Sequence, residues 1–325
     1  MLSLVIPVYK NEENLDRLLE EMVRLDRSMP GELEIVFVVD GSPDACFQIL
    51  QERLPALPLR YQLLSLSRNF GSFNAITAGL AAGFGDRFAV LAADLQEPPA
   101  LITAFNDALK SGTVDIVFGC RGKRADPWLS EMSSSLFWWI YRTFVIRDMP
   151  KGGVDVFGCN RTVRDHVLRL KEANTSLVVL LFWLGFRRGF ITYERRPRLE
   201  GRSAWTFASK FRYCVNSIFN FTDLPIRLLT YIGASGFVLA LVGLVVVTAA
   251  RLSGRISVPG YTVIALLVLV FGSAAMLGMG ILGQYLWLCL QNVRKRPNYI
   301  VAAAEVADVA MTDSRDSVAP TRNAH

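Results

Sequence analysis

Polar side chains recur at three points of this sequence, each just past an apolar run. They are Tyr9, Asn11 and Glu12; Asp40 and Ser42; and Asp94 and Gln96. One such residue is ordinary loop polarity. Three clusters at the carboxyl ends of neighbouring strands form a place where a polar ligand binds. Carboxylate and amide oxygens are also the donors that a hard divalent cation takes. Other chemistries are poorly served. The five cysteines (Cys46, Cys120, Cys159, Cys214 and Cys289) are scattered and form no CxxC. That pattern excludes a disulfide framework or zinc site and fits free thiols in a reducing compartment. The two histidines, His166 and His325, stand in no motif, and His166 reads as a helix-surface residue.

These clusters need a sheet to bring them together, and the first 120 residues supply its signals. Leu2–Val8, Glu34–Val39, Leu59–Leu66, Phe88–Ala93 and Val114–Phe118 are short apolar runs that read as strands. Between them, Asn11–Arg27, a segment opened by Pro43, Ser72–Phe84 and Pro98–Leu109 read as helices. Near-continuous apolar strands alternating with helices imply an α/β domain with a parallel sheet covered on both faces.

The rest of the chain has a different solvent. Hydrophobic residues make up 52% and charged residues 20% of the chain, and the mean hydropathy is +0.32. Such a composition excludes a disordered protein and points to a part that sits in lipid. No charge interrupts the 23 residues between Arg227 and Arg251, or the 38 from Ile256 to Val293. At about 1.5 Å per residue, each can cross a hydrocarbon core of about 30 Å as a helix. The loop between them holds Arg251 and Arg255, whereas Lys210, Arg212, Arg227, Arg294, Lys295 and Arg296 lie on the other side. That bias places the N-terminal domain and the tail in the cytoplasm. Aromatic and basic residues interleave over residues 128–147 and 205–221, which suits interfacial helices. The expected organisation is a cytoplasmic domain over residues 1–225, a two-helix transmembrane domain over 226–293 and a tail over 294–325. The tail, rich in Ala, Asp, Ser and Thr from Ala302 onward, is expected to be disordered. The net charge of +6 fits an anionic membrane surface as readily as nucleic acid. Gly278-Met-Gly-Ile-Leu-Gly283 matches the dinucleotide GxGxxG pattern but lies inside the second apolar run, so it reads as a helix-packing surface.

Four ordered segments carry a resemblance: Val5–Leu15 (VIPVYKNEENL), Val38–Asp44 (VVDGSPD), Leu66–Gly71 (LSRNFG) and Ala93–Pro99 (ADLQEPP). Together with Asp223–Arg227 and the Arg294–Pro297 exit, they resemble the family-2 inverting glycosyltransferases, and within them the polyprenyl-phosphate glycosyltransferases. The likeness runs from residue 1 to about residue 300. It implies a GT-A (Rossmann-like) fold, a UDP- or GDP-linked sugar donor, Mg2+ or Mn2+, and a polyprenyl phosphate acceptor. It also implies a multi-pass protein of the cell's inner (cytoplasmic) membrane with no nucleic acid partner; a homo-oligomer stays open. Carried over by motif, Pro7, Tyr9, Asn11, Glu12, Val39 and Asp40 fall at nucleotide-sugar positions. Asp94 and Gln96 match metal and diphosphate contacts, and Ala93 a backbone contact between them. Arg121, Asp155 and Arg198 match the catalytic positions: a phosphate-side arginine, an acceptor-side acid and an arginine across the site.

The sequence departs from the family pattern in places. Val39 and Ala92 replace acids of the paired-acid and Asp-Ala-Asp motifs, Lys10-Asn11 follows Tyr9 where Asn-Glu is usual, and Ala204 replaces a lysine. Magnesium commonly uses only one or two protein carboxylates, so Asp94 and Gln96 with a diphosphate suffice. Two other readings share these residues. One is a non-catalytic membrane scaffold that keeps the fold. The other is a processive polysaccharide synthase, which would want more spans and a Gln-x-x-Arg-Trp motif that the chain lacks.

Overall fold

The computed structural model describes residues 1–122, 150, 154–170, 176–194, 224–253, 261–294 and 296–307. The segments read as interfacial helices (128–147 and 205–221), Arg198 and Cys214 lie outside the described residues. The strands are β1 (Leu2–Val8), β2 (Leu33–Val39), β3 (Tyr61–Leu66), β4 (Arg87–Val90), β5 (Ile116–Arg121), β6 (Val154–Asn160), β7 (Arg188–Tyr193) and β8 (Val301–Ala307). They form one sheet in the order β7-β5-β6-β4-β1-β2-β3-β8. β1, β2, β3 and β4 are mutually parallel. β6 runs antiparallel to both β4 and β5, and β7 follows β5, so β5 and β7 point the same way as β1. The sheet is thus mixed where an all-parallel one was expected.

Helices α1 (Leu15–Ser28), α2 (Cys46–Arg53) and α4 (Ala100–Lys110) cover one face; α3 (Ser72–Ala82), α5 (Arg161–Arg169) and α6 (Leu177–Trp183) cover the other. The reason is visible in the spacing. α1 buries Leu15, Leu18, Leu19, Met22 and Leu25, one stripe of a 3.6-residue period. β2, covered on both faces, is buried at all seven positions. α3 lies close on the sheet because Gly79 has no side chain; a methyl there would overlap Val5 Cγ1. His166 is on the exposed side of α5, as expected, with its ring 5.6 Å from that of Phe186.

Three expectations need correcting. α1 starts at Leu15, after a short 3-10 turn over Glu12–Asn14, and not at Asn11. α2 starts at Cys46 rather than at Pro43. The Asp44 carboxylate holds residues 43–45 in a turn by accepting from the Ser42 hydroxyl (2.5 Å) and the Cys46 amide (3.3 Å). The tail is not disordered from Ala302: Val301–Ala307 forms β8, antiparallel to β3. The open edge of β3 supplies backbone partners that this alanine-rich segment's own β-propensity would not predict.

Two long helices follow the sheet in sequence, α7 (Leu224–Leu252) and α8 (Tyr261–Val293). Among the described residues one window, Ala274–Gln291 in α8, is long and apolar enough to cross a membrane. In the GxGxxG segment only Gly278 serves close packing: a methyl there would meet Leu229 Cδ1 of α7 at 3.2 Å, whereas Gly280 and Gly283 face open space.

Candidate active site

The sheet directions put the expected clusters on one edge. β1 delivers Tyr9–Glu12, β2 delivers Asp40–Asp44, β4 delivers Ala92–Gln96, and β5 ends on Arg121. Antiparallel β6 begins at the same edge. Its Val154 lies opposite Cys120 and its Val156 opposite Gly119, so the Asp155 backbone bulges opposite the Gly119–Cys120 step, just before Arg121 ends β5. On the other side Arg121 pairs with Tyr193 of β7.

The β1 and β2 loops are laced together. The Lys10 amide donates to Ser42 Oγ (2.7 Å), the Glu12 amide to Asp44 Oδ2 (3.4 Å), and the Ala45 amide to Glu12 Oε2 (3.0 Å). Burial pushes the Asp44 carboxyl up, but the donors from Ser42, Cys46 and Glu12 outweigh it and hold it below its ordinary value. Lys10 takes φ +53 in this turn, and Tyr9 is left exposed beside it. Asn11 turns back, its Oδ1 accepting from the Tyr9 amide at 3.4 Å. Beneath the clasp, burial and the Asp44 contact push the Cys46 thiol up to about 12, so this cysteine is inert at neutral pH.

Asp40 is only 2% exposed. Its Oδ1 accepts from the Phe70 amide (2.7 Å) and its Oδ2 from the Gly71 amide (2.9 Å), which ties the β3–α3 loop to the end of β2. Burial raises its pKa, and the two amides and Arg68 oppose that rise without cancelling it. Gly41 makes the contact possible. It has φ +55, and a methyl there would stand 2.5 Å from Arg68 Cα and from Asn69 N. Pro7 is half-buried within β1, opposite Val38. The Val39 side chain does not reach the edge: it is 1% exposed and packs in the core under α1 and α2. Its side chain points into the sheet's apolar face, which leaves only its backbone at the edge.

After β4 the backbone makes a tight turn. Leu95 has φ +51, a conformation that side chains rarely adopt and that recurs at functional sites. The turn leaves Asp94 and Gln96 half-buried at the edge, with Ala93 buried between β4 and the turn. Asp94 Oδ1 accepts from the Gln96 amide at 3.4 Å. The next residue, Glu97, is 2% exposed, and its Oε1 accepts from the Tyr193 hydroxyl at 3.4 Å. Glu97 thereby anchors the Asp94 turn to β7.

Among the described residues no three His, Cys, Asp or Glu side chains gather as a metal cage. One half-buried carboxylate with an adjacent amide still fits a Mg2+-type ion, which takes one or two carboxylates and completes its shell with phosphates and water.

Residues 3–171 match the model of the family described as Glycosyl transferase family 2. This chain belongs to that family. The family's GT-A-like α/β fold accounts for the mixed sheet and for the polar edge at its centre. The glycosyltransferase is 30% identical over 316 residues to a Bacillus subtilis (strain 168) protein named as a glycosyltransferase, CsbB, covering 97% of this chain and 95% of that one. It is 29% identical to the undecaprenyl-phosphate 4-deoxy-4-formamido-L-arabinose transferase of Proteus mirabilis (strain HI4320), covering 92% of each chain. It is also 29% identical to the SfII prophage-derived bactoprenol glucosyl transferase of Shigella flexneri, covering 92% and 97%.

Proposed function

We propose that this family-2 enzyme transfers a sugar, with inversion, from a UDP- or GDP-linked donor to polyprenyl phosphate at the cytoplasmic membrane face. The observation that carries the reading is the meeting, on one sheet edge, of Asp94 and Gln96 after β4 with Arg121 and the start of β6 bearing Asp155. The relatives named for undecaprenyl phosphate and bactoprenol add support, because each likeness covers 92% of the chain and so takes in α7 and α8.

The roles follow from charge. Tyr9, Asn11 and Glu12 on one loop, with the Asp40–Phe70 clasp behind them, frame the nucleoside. Asp94 and Gln96 would hold Mg2+ or Mn2+, which when bound offsets the charge of the leaving diphosphate. Arg121, and Arg198 from outside the described residues, supply further positive charge to the phosphates. The acceptor phosphate is already ionised near neutral pH (second pKa about 6) and needs no strong base. That fits a chain whose two histidines, His166 and His325, stand in no motif. Asp155 would repel an anionic lipid head, so it orients an arginine or contacts the sugar.

Both long helices cross the membrane in this reading. β8 follows α8 yet pairs with β3 of the catalytic sheet, so the chain re-emerges on the side it left. Same-side ends require an even number of crossings, so a crossing by α8 has to be matched, and α7, 29 residues long, is the partner. Exposed Leu239 and Val245 on α7, and Met276 and Leu286 on α8, suit a lipid surface. Formation of a glycolipid by the purified full-length protein, from a nucleotide sugar and undecaprenyl phosphate, tests the reading.

A further inference from the structure

A second basic feature lies at the β3 end of the same sheet edge. A cleft of about 380 Å³ opens where the β3–α3 loop meets the end of α8, within the usual range of small-ligand sites (about 300–1,000 Å³). Arg68, Arg294 and Arg296 line it, and none of its lining residues is acidic. The fold holds these cations together. Arg68 lies over the Phe70 ring, 4.0 Å from its centroid, and its Nη1 donates to Asn69 O at 3.0 Å. The exit segment is fixed opposite: the Ser67 amide donates to Ile300 O (3.0 Å), Tyr299 packs against the core, and β8 zips to β3 immediately afterwards. Three like charges converging on one polar cleft favour an anion there.

Position says which anion. Trp287, also in the lining, is about half-exposed one to two turns before the end of α8, where an interfacial aromatic meets the headgroup layer. Arginines just cytoplasmic of a membrane helix face the phosphates of anionic lipids. The cleft adjoins the Asp40–Phe70 clasp but lies well away from Arg121 and the start of β6: β3 is five strand spacings from β5, roughly 24 Å at about 4.8 Å each. We propose that this cleft binds the phosphate of an anionic bilayer lipid and so fixes the height of the catalytic sheet above the membrane. The proposal rests on α8 crossing the membrane, as in the proposed function.

The test is lipid retention by the full-length protein in non-ionic detergent, read by native mass spectrometry. The probes are phosphatidylglycerol, phosphatidylcholine, undecaprenyl phosphate and inorganic phosphate. Wild type should hold phosphatidylglycerol in preference to the other three. The Arg294→Gln/Arg296→Gln variant should hold it about thirtyfold more weakly, while Arg294→Lys/Arg296→Lys recovers most of the affinity. Binding of UDP and GDP should be unchanged in both variants, which also shows that they fold. The proposal is overturned by equal retention of phosphatidylcholine, by an unaffected glutamine variant, or by competition from inorganic phosphate at equal concentration. Displacement by UDP or GDP would hand the cleft to the donor, and tighter retention of undecaprenyl phosphate would hand it to the acceptor; either also overturns it. Lipid retention needs no turnover, so the two readings fail separately. Wild type that keeps phosphatidylglycerol but makes no glycolipid refutes the transfer reading alone.

Discussion

Gly41→Ala is the sharpest probe of how the site is held. The residue has φ +55, where an L side chain costs about 1–2 kcal/mol. The new methyl would also stand 2.5 Å from Arg68 Cα and Asn69 N. No rotamer relieves a clash between Cβ and backbone, so the 68–71 loop has to move away. That motion stretches the Asp40 bonds to the Phe70 and Gly71 amides, and a hydrogen bond to a charged group contributes about 1.5–3 kcal/mol. Losing one of them along with the backbone cost gives about 3–5 kcal/mol of destabilisation. At about 2–4 °C per kcal/mol, the melting temperature should fall by an amount on the order of 10 °C. Gly112→Ala is the matched control, since Gly112 has φ +67 with nothing within 4 Å of a methyl, and it should show only the backbone cost of about 1–2 kcal/mol. Thermal unfolding of both variants by circular dichroism, with nucleotide binding by calorimetry, separates the two contributions. Gly41→Ala should also bind nucleotide more weakly than wild type. If the two variants matched in melting temperature and in nucleotide affinity, the clasp would not hold the site.

Three further outcomes are expected. Asp94→Asn should lower turnover by orders of magnitude and weaken binding of Mn2+ measured by electron paramagnetic resonance in the presence of nucleotide; full activity in excess EDTA would contradict it. Asp155→Asn should cut kcat far more than it raises KM for the lipid, and a kcat within about twofold of wild type would return Asp155 to a structural role. The bidentate Arg187 contact, 2.9 Å at both oxygens, holds the Asp115 carboxyl below its ordinary value of 3.8. Its contribution is therefore present above about pH 4 and lost as pH falls through the folded-state value. Asp115→Asn should be less stable than wild type at pH 6 and converge with it in acid unfolding curves.

The strands and their polar ends were legible because buried strands leave continuous apolar runs and the polar residues follow them directly. Tyr9, Asp40 and Asp94 were found that way. The motif marks Asp40 as a ligand contact, while its bonds to Phe70 and Gly71 are seen only in the fold, since about 30 residues separate the partners. Glu97 and Tyr193 were missed for the same reason. The acid was in view next to Gln96, but its partner lies 96 residues further on. Motif position alone puts Val39 at this edge. Strand alternation points the side chain after Val38 to the opposite face, into the core. β8 escaped because alanine-rich Val301–Ala307 has little strand preference of its own, and only the unpaired edge of β3 makes it one. Pro43 misled because a proline can open a helix, whereas here the Ser42–Asp44–Cys46 turn sets the start three residues later.

The central claim, sugar transfer to polyprenyl phosphate, is tested most directly by product mass. Full-length protein in detergent is incubated with undecaprenyl phosphate, MgCl2 or MnCl2, and UDP- and GDP-linked sugars one at a time, and the lipid extract is analysed by mass spectrometry. The expected result is one sugar residue added to the lipid phosphate from at least one donor, with the nucleoside diphosphate released in equal amount. A panel of donors that leaves the lipid mass unchanged, with a folded protein that binds nucleotide, would contradict it.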